Sequence, residues 1–235
     1  MISVCIATHN GEQFIIEQLD SILKQIEFND EIIISDDNSN DNTVEIIKNI
    51  NDQRIKIYTN NFSNLIRNFE FLINISKGDI IFLCDQDDIW DERKISFHIE
   101  SYKKVDYPLL VLSDVMLIDE YGAKLMKSFY SNKFTDNFFV NLYKNNFIGC
   151  SISFNKELKK YILPFPKNIP MHDWWIGIVA ITFGNTNFIE SKLTYYRRHS
   201  GNFTNNINSS LLLKLKWRLS LFINILHLFI KRKFK

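Results

Sequence analysis

Within its first hundred residues the chain alternates four short apolar runs with four segments of helical periodicity, and this alternation limits the fold more than any other feature. Ile2–Ala7, Glu31–Ser35, Ile55–Thr59 and Asp79–Cys84 read as strands. Between them, Glu12–Ile26 places Phe14, Ile15, Leu19, Ile22, Leu23 and Ile26 on one helical face. A second helix carries Val44, Ile46, Ile47 and Ile50 behind a cap at Ser39 or Asp41. A third runs from a cap at Asn64 through Ser76, and a fourth from about Asp91 to Lys104. Strand and helix in strict alternation predict βαβ units, so the expected fold is α/β: a Rossmann-like, mostly parallel sheet flanked by helices.

Beyond Pro108 the pattern loosens. Leu109–Ser113 and Phe147–Phe154 read as strands and Phe138–Tyr143 as an aromatic helix. A helix opens at Met171-His172-Asp173-Trp174-Trp175 and runs to Phe183, where Gly184 ends it. Asn187–Ile189 and Leu193–Arg197 are expected to form a hairpin. With 46% hydrophobic and 23% charged residues, a disordered chain is excluded. Cys5, Cys84 and Cys150 are odd in number and widely spaced, as expected for reduced, buried thiols of a cytosolic protein, and the N-terminus carries no signal-peptide pattern.

In open α/β sheets ligands bind beyond the carboxyl ends of the strands, and the most polar clusters fall there. Asp85-Gln86-Asp87-Asp88 follows the fully apolar Ile80–Cys84. Three carboxylates in four residues repel one another, and a hard divalent cation bridging to phosphate is the natural counter-charge. The same turn would also cap the following helix. Asp36 and Asp37 follow another apolar strand and either read a nucleobase or ribose or cap the next helix. Asp173 stands beside two tryptophans, whose bulk would desolvate it, raise its pKa and make it a better base, although it too would serve as an N-cap. Arg197 and Arg198 suit a diphosphate or an ordinary surface, and His199 suits a metal or solvent. The dinucleotide fingerprint, the phosphate loop, the serine-nucleophile elbow and zinc-type spacings are absent, and nothing points to a nucleic-acid partner.

Five segments together, Ser3–Leu23, Ile33–Thr43, Asn68–Trp90, His172–Val179 and Tyr195–Asn202, resemble the family-2 glycosyltransferases, and among them the bacterial rhamnosyltransferase-like enzymes of surface polysaccharide synthesis. The resemblance implies a GT-A fold over residues 1–205 and an inverting, metal-dependent transfer of a sugar from dTDP-rhamnose or a UDP-sugar to a glycan or lipid-linked glycan. It gives Asp173 the role of catalytic base. Ala7, Thr8, His9, Asp37, Arg67, Asp85 and Asp88 would bind the nucleotide-sugar. Asp87, Asp85 and His199 would hold Mn²⁺ or Mg²⁺, with Asp85-Gln86-Asp87 as the DxD motif. His9 departs from the family, which commonly has Tyr or Phe there. Two other readings are an inactive nucleotide-sugar-binding module and a sugar-nucleotidyltransferase, but the latter class carries a Gly-rich basic loop where this chain has His9-Asn10-Gly11-Glu12.

Residues 206–235 form the second expected unit. Lys214, Lys216, Arg218, Lys231, Arg232, Lys233 and Lys235 are joined there by no acidic residue, so the rest of the chain is net acidic while the whole is +1. Leu211–Ile230 is apolar but interrupted by charge, too short a clean run to span a bilayer. Lys216, Ser220, Asn224, His227 and Lys231 make one polar stripe. That pattern predicts a helix lying on an anionic membrane surface, and a protein peripheral on the cytoplasmic face of the plasma membrane. A helix docked on the domain, or on a second copy, is the competing expectation.

Overall fold

In a computed structural model of the chain, which describes residues 1–126, 128–130, 134–202 and 210–233, the expected alternation is present as β1 (Ile2–Thr8), α1 (Ile15–Leu23), β2 (Glu31–Asp37), α2 (Thr43–Asn49), β3 (Ile55–Asn60), α3 (Leu65–Ile75) and β4 (Ile80–Asp85). A short β5 (Ile89–Trp90) and α4 (Lys94–Glu100) follow. The second half contributes β6 (Leu109–Ile118), β7 (Lys124–Met126), α5 (Phe138–Tyr143), β8 (Ile152–Asn155), α6 (Lys156–Ile162), α7 (His172–Phe183), β9 (Asn185–Arg197) and α8 (Leu211–Lys233).

One sheet takes the order β3-β2-β1-β4-β8-β6-β9-β5, with β7 paired to β6. β1 to β4 run parallel, β6 and β9 run parallel, and β8 is antiparallel to both of its neighbours. Alternation along β1 explains the layering, because successive side chains of a strand face opposite sides. Val4 and Ile6 join Ile15, Leu19 and Ile22 of α1 on one face, while Cys5 and Ala7 join Phe69 and Leu72 of α3 on the other. Burying each such aliphatic side chain contributes ~1.5–3 kcal/mol. The second face also receives α6, α7 and one side of α8 through Leu158, Ile176, Leu221 and Ile225.

The expected hairpin over 187–197 is a single strand instead. β9 runs unbroken along β6, with register shifts at Ser113–Val115 that absorb the polar Glu190-Ser191-Lys192 segment. The boundary expected at residues 205–206 lies outside the described residues. Cys5, Cys84 and Cys150 are all free and buried.

Candidate active site

The turn after β4 is fixed from behind by the end of β9. The Arg197 backbone N–H donates to Asp88 Oδ1 (3.0 Å) and its Nε to the Asp87 carbonyl (2.8 Å). Its remaining nitrogens donate to the Glu120 carbonyl (2.9 Å) and to Glu17 Oε2 (2.5 Å), and the guanidinium lies 4.8 Å over the Phe14 ring. Arg197 is therefore a buried brace for the acidic turn and not the diphosphate ligand that its sequence suggests.

Asp87 Oδ2 accepts from His199 Nε2 (2.7 Å) and Asn202 Nδ2 (3.1 Å). The Gly201 N–H donates to His199 Nδ1 (3.2 Å), which assigns the ring proton to Nε2. Asp85 is pushed well up from the ordinary carboxylate range by burial and by the Asp88 and Asp87 charges. Asp88 is pushed up to about 7 by burial and by Asp87. Asp85, Asp88 and the Cys150 thiol bring ligand atoms within 4.8 Å of one another, but burial drives the thiol pKa well up, so it stays protonated. A second cation joins Arg197 nearby: Lys94 of α4, fully buried, donates to the Cys150 carbonyl (2.6 Å) and Thr194 Oγ1 (2.7 Å) and lies 4.1 Å over Trp90. Its charge favours the ionised forms of Asp88 and Asp85, while burial lowers its own pKa to about 8.

A cavity of about 480 Å³, large enough for a small ligand, opens at the carboxyl ends of β1, β2 and β4. Ala7, Thr8, His9, Asp37, Asp85 and Asp87 line it from the strand ends, together with Gly149, His172 and Asp173 from the second half of the chain. Residues about 90 to 170 positions apart thus meet at one opening. The loops on the strand side are held by their own polar groups. His9 N–H donates to Gln86 Oε1 (2.9 Å), and Gln86 Nε2 returns a bond to the His9 carbonyl (3.0 Å). Gly11 is needed there, because a Cβ would stand 2.4 Å from Gln86 Oε1. Asn10 and Asn38 take φ of 51° and 60°, a region that asparagine tolerates better than most residues. The Asp37 carboxylate accepts from the backbone N–H groups of Phe62 (2.6 Å), Ser63 (3.0 Å) and Asn64 (3.0 Å), so it also shapes the loop before α3.

Three of the site residues that the family resemblance implies do not line the cavity. Arg67 lies on α3 with its guanidinium paired to Glu70. Asp88 is turned toward Arg197 and Cys150, and His199 acts on the cavity through Asp87. Asp85 and Asp87 offer the hard carboxylate oxygens that Mn²⁺ or Mg²⁺ takes, whereas His199, expected as a third ligand, is turned to Asp87 with its Nε2 hydrogen and supports that carboxylate. A bound cation would offset the carboxylate repulsion that adds to burial in raising Asp85.

Asp173, in the first turn of α7, lines the same cavity. It is only 9% exposed, and its Oδ1 accepts from the Trp174 N–H (2.6 Å) and from Asn145 Nδ2 (3.1 Å). Burial outweighs these bonds and raises its pKa to about 7. Its neighbours are anchored elsewhere: Trp174 Nε1 donates to the Asn141 carbonyl (2.6 Å) and Trp175 Nε1 to the Ile162 carbonyl (2.9 Å). A carboxylate poised near neutrality suits a general base. Asn145 and Lys94 carry no local motif, and only the folded chain reveals them.

Residues 3–161 match the model of the family described as Glycosyl transferase family 2. The dTDP-rhamnosyl transferase RfbG of Shigella flexneri is 32% identical over 229 residues, covering 90% of this chain and 76% of that protein. The UDP-Glc:alpha-D-GlcNAc-diphosphoundecaprenol beta-1,3-glucosyltransferase WfaP of Escherichia coli is 30% identical over 211 residues, covering 88% of this chain and 80% of that protein. Among solved structures, S. aureus TarS 1–349 in complex with UDP-GlcNAc superposes with a TM-score of 0.72 at 17% identity, over 89% of this chain and 62% of that one. Mannosyltransferase PcManGT from Pyrobaculum calidifontis, in complex with GDP-Man and Mn2+, gives 0.63 at 14%, over 87% and 59%. At these identities the structural likeness is one of fold.

Proposed function

This chain belongs to glycosyl transferase family 2, and from that premise we propose that it moves a sugar from a nucleoside-diphosphate donor to a hydroxyl of a growing surface glycan, with inversion at the anomeric carbon. The observation that carries this reading is a single cavity lined by Asp85, Asp87 and Asp173 together. Asp173, with a pKa raised to about 7 by burial, takes the proton of the acceptor hydroxyl. The freed oxygen bonds to the anomeric carbon from the face opposite the nucleotide, and the bond to the diphosphate oxygen breaks with its electron pair leaving on the nucleotide. Asp87 and Asp85, with His199 supporting Asp87, would hold Mn²⁺ or Mg²⁺, which when bound supplies positive charge for the departing diphosphate. Holding donor and acceptor together can supply ~7–11 kcal/mol of the barrier, and a general base adds roughly 10²–10⁴-fold.

The names of the two relatives make dTDP-rhamnose and UDP-glucose the first donors to test. A lipid-linked acceptor fits the relative that acts on a diphosphoundecaprenol substrate. It also fits α8, whose outer face exposes Leu215, Leu219, Phe222, Ile223, Leu226 and Phe229 alongside the basic residues of the tail. No described helix is long and apolar enough to cross a membrane; α8, docked on the domain through Leu221 and Ile225, would lay its outer face on the cytoplasmic leaflet and hold the protein peripherally there. With Mn²⁺ present, the protein is expected to release UDP from UDP-glucose, or dTDP from dTDP-rhamnose, faster when a glycan acceptor is added. Chelation of the metal should suppress that release. Release of pyrophosphate from a nucleoside triphosphate would instead favour nucleotidyl transfer.

A further inference from the structure

The first residue of α7 is placed as if for a partner that the protein itself does not provide. His172 is 4% exposed and lines the cavity beside Asp173. Among the described residues neither of its ring nitrogens has a hydrogen-bond partner. The ring lies flat on Phe69 of α3, with centroids 4.0 Å apart and planes inclined by 24°. Its other side depends on Gly149, where a Cβ would stand 2.8 Å from Nε2. Burial lowers the imidazole pKa to about 3, so the ring is neutral, with one donor nitrogen and one acceptor. A second buried group of the same kind lines the same cavity: Asn68 of α3 donates through Nδ2 to the Ser35 carbonyl (3.0 Å) and leaves Oδ1 without a partner among the described residues.

Leaving a buried polar atom unpaired costs ~1–3 kcal/mol, and a fold rarely accumulates such atoms in one cavity without a use for them. Charge recognition is excluded, because both side chains are neutral. A hydroxyl group, which donates and accepts at once, is the complement of a neutral imidazole. Resting on the proposed transfer reaction, which sets the reacting carbon near Asp173, we propose that His172 hydrogen-bonds a hydroxyl of the transferred sugar and so selects the donor by its hydroxyl pattern, with Asn68 Oδ1 offering a second acceptor in the same cavity. A site built to pair a substrate hydroxyl discriminates strongly, because the wrong sugar leaves the site's own groups unpaired. His172 is a specificity residue on this reading, and the base remains Asp173.

The test compares nucleotide with nucleotide-sugar in the full-length protein with Mn²⁺, using calorimetric binding of UDP, UDP-glucose, dTDP and dTDP-rhamnose. In His172→Phe, which keeps a flat ring on Phe69, affinity for the free nucleotide should stay within about twofold. The preference for the matching nucleotide-sugar over its nucleotide should fall at least ~10-fold. The thermal midpoint should hold or rise, since the variant removes an unpaired buried polar group. His172→Asn, which retains a donor and an acceptor, should recover part of the preference. An unchanged preference in His172→Phe overturns the assignment, as does a fall in midpoint with equal loss of nucleotide and nucleotide-sugar, the signature of a purely structural ring. Wild-type protein that binds none of the four compounds would refute the donor reading itself, and this inference with it.

Discussion

α7 and α8 are both rich in Leu, Ile, Phe and Trp, and the sheet treats them oppositely. α7 packs against α3, α5, α6, α8, β6 and β9, so nearly every side of it meets protein, and Trp175, Ile176, Ile178, Val179 and Ala180 are all buried. A helix that is apolar all round belongs in such an interior. α8 meets the body on one side, chiefly through α5 and α7, and of its long row of large apolar side chains only Leu221 and Ile225 are buried. Its polar stripe does not face outward as a unit either, since Ser220 donates to the Asn168 carbonyl (2.6 Å) and Asn224 to the Ser220 carbonyl (2.8 Å). What α8 turns outward is apolar with basic residues interspersed, and a large exposed apolar surface marks an interaction site. The difference teaches that hydrophobicity in α7 holds Asp173 in position, whereas in α8 much of it is left facing outside the domain.

The sharpest way to break the comparison is to weaken the anchor of α7. Trp175→Ala should cost ~3–5 kcal/mol in denaturant unfolding, because it opens a cavity and strands the Ile162 carbonyl that the indole N–H now satisfies. A loss below ~1 kcal/mol would mean that α7 is held by other means. Asp173→Asn comes next. Turnover should fall at least ~100-fold, about 2.7 kcal/mol of barrier, with donor affinity nearly intact. Because burial raises the Asp173 pKa from 3.8 to about 7, the folded state prefers the protonated form. Its contribution to stability is full below the unfolded value and is lost as pH rises through about 7. Asp173→Asn should therefore raise the thermal midpoint relative to wild type at pH ~8 and leave it level at pH ~4, while wild-type turnover climbs through pH ~7 as the base ionises. A variant as active as wild type removes Asp173 from the chemistry.

The two halves of the chain were not equally legible. The strands and helices of the first hundred residues follow from two simple periods, two and 3.6, and their polar strand ends had to fall on one edge once the sheet was parallel. Boundaries slipped where a turn or a pairing intervened. α1 begins at Ile15 because Gly11 carries a turn that takes the N–H groups of Phe14 and Ile15, and α4 is shortened because Ile89 and Trp90 pair with β9. α6 went unread: it is mostly charged, with only Leu158 and Ile162 buried, although Asn155 caps it by accepting from the Leu158 N–H. Lys94 and Arg197 show a harder limit. A charged residue reads as solvated unless its partners are known, and theirs lie up to 180 residues away. Asp173 is easier to single out, since it opens a helix beside two large rings, yet both indoles bond elsewhere and the burial that raises its pKa comes from the folded chain.

The smallest effect is the most discriminating for α8, because two adjacent residues differ in burial. Leu221 is fully buried against the body and Phe222 is exposed. Leu221→Gln should destabilise the fold by ~2 kcal/mol or more, for lost apolar burial and an amide without a partner. Phe222→Gln should change stability by no more than ~0.5 kcal/mol, because folding alone leaves that ring in water. Combined with Leu219→Gln and Phe229→Gln, it should nevertheless weaken sedimentation with anionic phosphatidylglycerol vesicles at least ~10-fold. Wild-type binding should also fall as salt is raised, since each basic side chain near such a surface contributes only ~1 kcal/mol and is screened. If Phe222→Gln costs as much as Leu221→Gln, the outer face is covered by protein in solution. A change in sedimentation velocity would then identify a second copy of the chain as the cover, and the contrast between the two helices would be one of assembly and not of membrane.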